Sequence, residues 1–278
     1  MSEQEGSVQS EEGRTHSPVD EEGRSSGRLI LLSLVISYSA TMPAGILMSL
    51  LLIDIALTFG VSVGVMGQLG TVSSTVAVIA CLIVGALSIR FKHKSLLMVG
   101  LMFIGASALG CGLASSFDEM LVVYSLSGLG AAMIGPMAET LVAEHFPVEK
   151  RTSAIGWLYA GSSLSYVIGA PIIGFIAGSG GWRLAFLASV LPISLLSLFL
   201  AVIGLPSKSH SIQPTASKLS YLDGFKEVIT NRSASACVAG WVFLNAGFMA
   251  IFVYNSSFFR QQFLVSTDLM SLLFLGLV

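Results

Sequence analysis

Seven apolar stretches, each long enough to cross a bilayer, follow one another along this chain, most of them separated by short polar breaks. A hydrocarbon layer of ~30 Å takes ~20 residues of helix. That ruler places spans at residues 29–53, 62–89, 95–115, 120–143, 153–177, 184–204 and 234–257. Backbone N–H and C=O groups find no water in lipid, so such a chain crosses as helices that satisfy their own hydrogen bonds. The expected fold class is therefore all-α, a polytopic membrane helix bundle. An eighth apolar run starts near Leu269 and reaches Val278. Its ten residues would rise only ~15 Å as a helix, half a membrane, so the expectation is a fragment truncated in helix 8.

Composition agrees that lipid is the main solvent. Hydrophobic residues make up 54% of the chain and charged ones 11%, against roughly 25% charged in soluble domains. Seven of the 16 acidic residues crowd into the first 28 positions (Glu3, Glu5, Glu11, Glu12, Asp20, Glu21 and Glu22). That stretch reads as a disordered cytoplasmic tail, too acidic for a secretory or transit peptide. Residues 29–204 form an expected six-helix bundle, 205–233 a long cytoplasmic linker, and 234–278 the start of a second bundle. Within the linker, Leu219, Leu222, Phe225 and Val228 can share one amphipathic face on the membrane surface.

Basic residues set the orientation. With the N-terminus inside, Arg14, Arg24, Arg28, Arg90, Lys92, Lys94, Lys150, Arg151, Lys208, Lys218, Lys226 and Arg232 all fall on the inner side. Only Arg183 and Arg260 of the 14 Lys and Arg residues fall outside. The positive-inside rule then implies a multi-pass cell-membrane protein with a cytoplasmic N-terminus.

Metal and cofactor chemistry finds no support. Cys81, Cys111 and Cys237 sit inside apolar runs, where free cysteines serve as small packing residues. His16, His93, His145 and His210 lie in loops or the tail without a second ligand nearby in sequence. A membrane-embedded transferase would need clustered charged ligands at the membrane face, and the chain has none. The partners left are the bilayer and a small molecule, with no nucleic acid.

The loop after helix 2 reads Gly85-Ala-Leu-Ser-Ile89-Arg90-Phe-Lys92-His-Lys94. It resembles the G-x-x-x-D-R-x-G-R-R/K loop of the major facilitator superfamily, with Gly85, Arg90 and Lys94 matching. Ile89 replaces the acid and Lys92 the second glycine. Helix 4 carries Gly128-Leu-Gly130-Ala-Ala and leaves through Phe146-Pro147-Val-Glu149-Lys-Arg151, similar to the family's R-x-x-x-G-x-G-A-A and F-P-x-x-x-R. Tyr124 stands in place of that arginine. Helix 5 holds Gly169-Ala-Pro171-Ile-Ile-Gly174, which resembles the G-P-x-x-G-G core of the drug:proton antiporter branch. Gly181-Trp182-Arg183 with Phe186 matches the family's start of helix 6.

The resemblance implies one half, and the beginning of the other, of a twelve-helix transporter that works by alternating access. Its first implied activity is proton-coupled efflux of small amphipathic compounds, with protons as coupling ion. A symporter or uniporter of the same fold is the alternative, as is a transport-inactive or regulatory protein. Gly85, Arg90, Lys94, Glu139 and Arg151 are the expected gating residues. Gly128, Gly130, Gly169, Pro171 and Gly174 are the expected helix-packing residues.

Glu139 is the acid placed well inside a span, and a membrane acid is a candidate functional residue because burying it unpaired is costly. Its depth suits an inner-gate pair with Arg90 or Arg151. A proton site and a protonated bystander remain the other readings. Asp54 ends helix 1 near the outer surface and reads as simply solvated. For substrate, Ser37, Tyr38 and Thr41 lie near one face of helix 1, with Gln68 on helix 2, Met133 and Met137 on helix 4, Tyr166 on helix 5 and Asn245 on helix 7. A soft lining of Met and aromatic groups suits varied apolar ligands; hydroxyls bonding their own helix are the plainer reading. Pro43 and Pro136 hold corresponding places if each half is an inverted three-helix repeat.

Overall fold

A computed structural model describes residues 18–206 and 229–263, together with positions 226 and 269. The amphipathic linker face and all of the eighth run except Leu269 lie outside these residues. The described secondary structure is entirely helical: α1 (Pro18–Ser39), α2 (Met42–Phe59), α3 (Val63–Met66), α4 (Gln68–Leu87), α5 (His93–Leu113), α6 (Phe117–His145), α7 (Val148–Ala185), α8 (Leu191–Gly204) and α9 (Arg232–Phe263).

Local sequence explains most ends. Pro18 followed by Val19 and three acids is a helix-start pattern, and α1 accordingly begins inside the stretch read above as tail. Ser116 caps α6 by accepting the Glu119 N–H at 3.2 Å, while Glu119 reaches back to the Ser115 N–H at 2.8 Å. Asn231 Oδ1 takes the N–H groups of Ser233 and Ala234 and so opens α9. Gly60 ends α2 at φ 66°, a left-handed cap that favours glycine.

The first span is broken. Helix runs from Gly27 to Phe59 except for a turn at Ala40 and Thr41. Pro43 has no N–H to give the preceding turn, and the Thr41 hydroxyl binds the Tyr38 carbonyl at 2.8 Å. Pro136 lies within an unbroken α6, so the two prolines have different local outcomes.

Spans 5 and 6 form one helical stretch of 57 residues, Val148–Gly204. Straight, it would measure about 85 Å, far beyond any bilayer. Gly181 at φ 77° and ψ 175° breaks it into two crossings. A π-turn at Phe186–Val190 then absorbs Pro192, which sits at the start of α8.

The bundle has two ends. One, the basic face, holds the loops at 88–92 and 146–147 and the end of α8. The far face holds Gly60, Ala114 and the Gly181 corner. That corner is stitched down by Trp182 Nε1 donating to Thr58 Oγ1 at 3.0 Å and by Arg183 donating to the Ala114 carbonyl at 2.8 Å. Span 1 supplies the core, with Leu47, Leu50, Leu51, Leu52 and Ile55 essentially closed to solvent. Spans 5 and 6 both pack on it, α4 and α5 pack on α6, and α9 packs on α2. Outward-facing apolar side chains such as Leu82, Phe175 and Phe199 stay exposed, as lipid-facing positions should. Cys81 and Cys237 join them, while Cys111 is buried.

Candidate functional site

Three helices bring an acid and two phenols together in the half of the bundle nearer the basic face. Glu139 lies six residues, about 9 Å, before the end of α6. Its Oε1 accepts a hydrogen bond of 2.9 Å from the Tyr159 hydroxyl on α7. Tyr159 meets Tyr38 of α1 edge to face, ring centres 5.6 Å apart, and Tyr38 is within electrostatic reach of Glu139. Tyr159 is 49% exposed, so the group faces open space rather than the packed core. Tyr166, seven residues along α7 and half-buried, continues this face.

The expected pairing of Glu139 with Arg90 or Arg151 is not the one made. Arg151 Nε donates to the Phe146 carbonyl at 3.0 Å, and Arg90 is exposed at the loop tip. Gly85 accepts the Ser88 hydroxyl at the end of α4. Lys94 Nζ binds the carbonyls of Val202 and Leu205, closing the last turn of α8. On this face the His93 ring binds Glu144, Nδ1 to Oε1 2.5 Å, with the Glu144 side chain 4% exposed. His93 lies in one of the two loop motifs that resemble the family and Glu144 just ahead of the other, yet neither motif marks the two as partners. Replacing His93 by Ala should cost about 2 kcal/mol and lower the melting temperature by roughly 5 °C. Arg90→Ala should leave it within about a degree, and thermal unfolding of the purified protein in detergent measures both.

The other expected substrate contacts scatter. Ser37 is buried with its Oγ unpartnered, and Thr41 bonds its own helix. Met133 and Met137 are core residues. Gln68 is exposed at the start of α4, toward the far face. Asn245 donates to the Trp241 carbonyl one turn back at 3.0 Å. Depth separates these groups, which a helical wheel drawn for one span at a time does not show.

The packing motif has a clear geometry. A Cβ on Gly128 would fall on the backbone carbonyl of Ser73 in α4. A Cβ on Gly130 would stand 2.8 Å from the Gly100 carbonyl in α5. One helix is thus wedged between two by glycines two residues apart. Gly135, on the same helix, faces open space. Gly169 lies against Ile46 of span 1, Gly174 is buried, and Pro171 sits within α7. Two apolar grooves of about 350 Å³ flank the bundle, one among spans 1, 5 and 6, the other among spans 2, 3 and 4. Exchanging the first three spans for the second three maps one groove onto the other, the relation an internal repeat would produce.

At the far face, Asp54 is not merely solvated: it forms a two-pronged ion pair with Arg260 of α9 at 2.7 and 3.1 Å. Arg260 also binds the Leu50 carbonyl at 3.2 Å, and the Tyr254 hydroxyl packs on Gly67 between α3 and α4.

A family model described as the Major Facilitator Superfamily matches residues 29–278. Multidrug resistance protein 3 of Bacillus subtilis is 33% identical over 133 residues, 48% of this chain and 26% of that protein. The cis,cis-muconate transport protein of Acinetobacter baylyi is 24% identical over 223 residues, 79% of this chain and 54% of that protein. Among solved structures, a bacterial homologue of the human lysosomal transporter Spinster, inward-facing and occupied, superposes with a TM-score of 0.69 at 20% identity. It covers 88% of this chain and 56% of the other. The chain thus spans about half, or less, of the length of these relatives.

Proposed function

Because this chain belongs to the Major Facilitator Superfamily, we propose that it forms the first bundle, and the start of the second, of a transporter that exports small amphipathic compounds against protons by alternating access. It is a multi-pass, non-enzymatic membrane transport protein; the direction, the coupling ion and the cytoplasmic placing of the basic face are the proposed part. Basic loops gathered at one end support that placing. The observation that carries the reading is Glu139: a carboxyl at membrane depth, open to the space beside α1 and α7, and neutralised by no Lys or Arg among the described residues. Exchange of a proton for a ligand's charge at such a group would couple two fluxes.

Contacts close the described helices at both ends of this group. On the far face, α9 closes on span 1 through Asp54 and Arg260. On the basic face, His93 and Glu144 tie the loop after span 2 to the end of span 4, while Lys94 holds span 6. The name of the Bacillus subtilis relative favours varied, drug-like cargo, and its similarity to this chain covers 48% of it.

The test is a gradient assay on the full-length protein in liposomes holding a trapped pH dye. A panel of anionic, neutral and cationic amphiphiles is added after a pH step. At least one should collapse the gradient saturably, and Glu139→Gln should slow that collapse at least tenfold. Saturable movement that ignores both the gradient and the Glu139→Gln change would favour a uniporter instead.

A further inference from the structure

We infer that the groove among spans 1, 5 and 6 is an intramembrane site for a neutral lipophilic alcohol, held by the Ser39 hydroxyl. The groove offers about 350 Å³, within the range of small-molecule sites. Its rim is apolar, with Leu164, Ile168 and Ile172 of α7 each about half exposed. Ser39, the last residue of α1, is the polar group that points to a ligand. It lines the groove, is only 6% exposed, and has no hydrogen-bond partner among the described residues. Ser165 and Ser189 line the groove too, but their hydroxyls already donate to the Gly161 and Ala185 carbonyls one turn back. A Cβ on Gly161 would stand 3.1 Å from Ser39 Oγ, so the free hydroxyl is aimed across the groove at α7, over a glycine. A buried hydroxyl left unpaired is costly, and a ligand that pairs it removes that cost.

Depth and charge narrow the class. Ser39 lies eleven residues past Arg28, about 16 Å along the helix from the basic face and near the middle of a ~30 Å hydrocarbon layer. Phospholipid headgroups and esters stay at the surfaces, so a polar group that reaches Ser39 belongs to a compound dissolved in the layer itself. No charged side chain lines the groove, and an ionised ligand would have nothing to offset it. An alcohol fits because its hydroxyl, like that of Ser39, both donates and accepts. The site is separate from the Glu139 group: at ~100° per residue, Leu164, Ile168 and Ile172 lie across α7 from Tyr159 and Tyr166. Every lining residue belongs to spans 1, 5 and 6, and α9 meets span 1 beyond the groove, at Leu50 and Asp54. The matching groove among spans 2, 3 and 4 is equally large but has no hydroxyl on its wall, so it should accept alkyl chains without preferring an alcohol.

Dodecanol and dodecane, each carrying a mid-chain diazirine, are the discriminating probes, used on the full-length protein in lipid nanodiscs. After irradiation, peptide mapping by mass spectrometry reads the labelling of the two grooves separately. The ratio of labelling between the grooves cancels differences in how the probes partition into lipid. That ratio should favour the Ser39 groove at least threefold more for the alcohol than for the hydrocarbon, and excess unlabelled dodecanol should abolish the difference. Ser39→Ala should bring the alcohol's ratio down to that of the hydrocarbon, while Ser39→Thr, which keeps a hydroxyl, should retain most of the preference. Unchanged labelling of the other groove and monodisperse elution separate lost binding from lost folding. An alcohol preference that survives Ser39→Ala, or equal ratios for the two probes in the parent protein, overturns the inference. So does an unlabelled Ser39 groove, since it would then be closed in the full-length protein. No transport is measured, so the result leaves the proton-coupled reading to its own assay.

Discussion

Gly128→Ala should destabilise the bundle by about 3 kcal/mol, the upper end for forcing extra volume into a packed interior, while Gly135→Ala, seven residues along the same helix, should be neutral or stabilising. The contrast follows from what each new methyl would meet. At Gly128 it meets a backbone carbonyl of α4, which cannot swing aside as a side-chain tip can. Relief requires α6 and α4 to separate, and the Ser73–Ser127 hydroxyl contact at 3.1 Å would go with it. At Gly135 there is open space, and alanine gains up to ~1 kcal/mol of helix propensity. Fluorescence-detected size exclusion after a temperature ramp measures both. A Gly128→Ala protein as stable as its parent would remove the close α4–α6 approach from the account.

Breaking the Asp54–Arg260 pair should shift the conformational balance roughly tenfold toward a state open at the far face, equivalent to about 1.4 kcal/mol. The pair is two-pronged and partly shielded, with Arg260 14% and Asp54 36% exposed at the side chain. It therefore exceeds the small contribution of a freely solvated surface pair. Arg260 also holds the Leu50 carbonyl, so Arg260→Gln should act more strongly than Asp54→Asn. Spin labels on cysteines at Leu57 and Phe263, both exposed beside the clasp, report the distance directly, with the native cysteines replaced. Either substitution should raise the long-distance population, and exchanging the two charges (Asp54→Arg with Arg260→Asp) should recover most of the short one. Unchanged distances in both single variants would show that α9 is held by its apolar contacts alone.

The all-helical, membrane-spanning class was legible because lipid imposes a length and forbids open backbone, constraints any single sequence must display. The glycines at 128 and 130 were legible from the family motif they resemble, while helical spacing alone would also have pointed to Gly135, which faces open space. Residue pairing was not. Glu139 was visible as an isolated acid, but its partner depended on the rotation of α7, which places Tyr159 rather than Arg151 toward it. Asp54 and Arg260 are 206 positions apart, and nothing local to either announces the other. Pro43 marked the first span as irregular, yet the break falls before it, at Ala40 and Thr41, where the threonine hydroxyl finds the Tyr38 carbonyl. The π-turn ahead of Pro192 is similar: the proline is plain, while the extra residue that accommodates it appears only once α8 is packed.

That break in span 1 makes the helix two rods in series. The first rod, α1, carries Tyr38 one residue before its end, and the second, α2, carries Asp54 about 20 Å beyond the joint. A jointed rod passes on a push along its length but little of a twist or tilt. The far end can therefore swing away from α9 while the tyrosine keeps its place beside Glu139 and Tyr159. Opening at the far face and movement at Tyr38 would then be separable motions, with Ala40 and Thr41 between them.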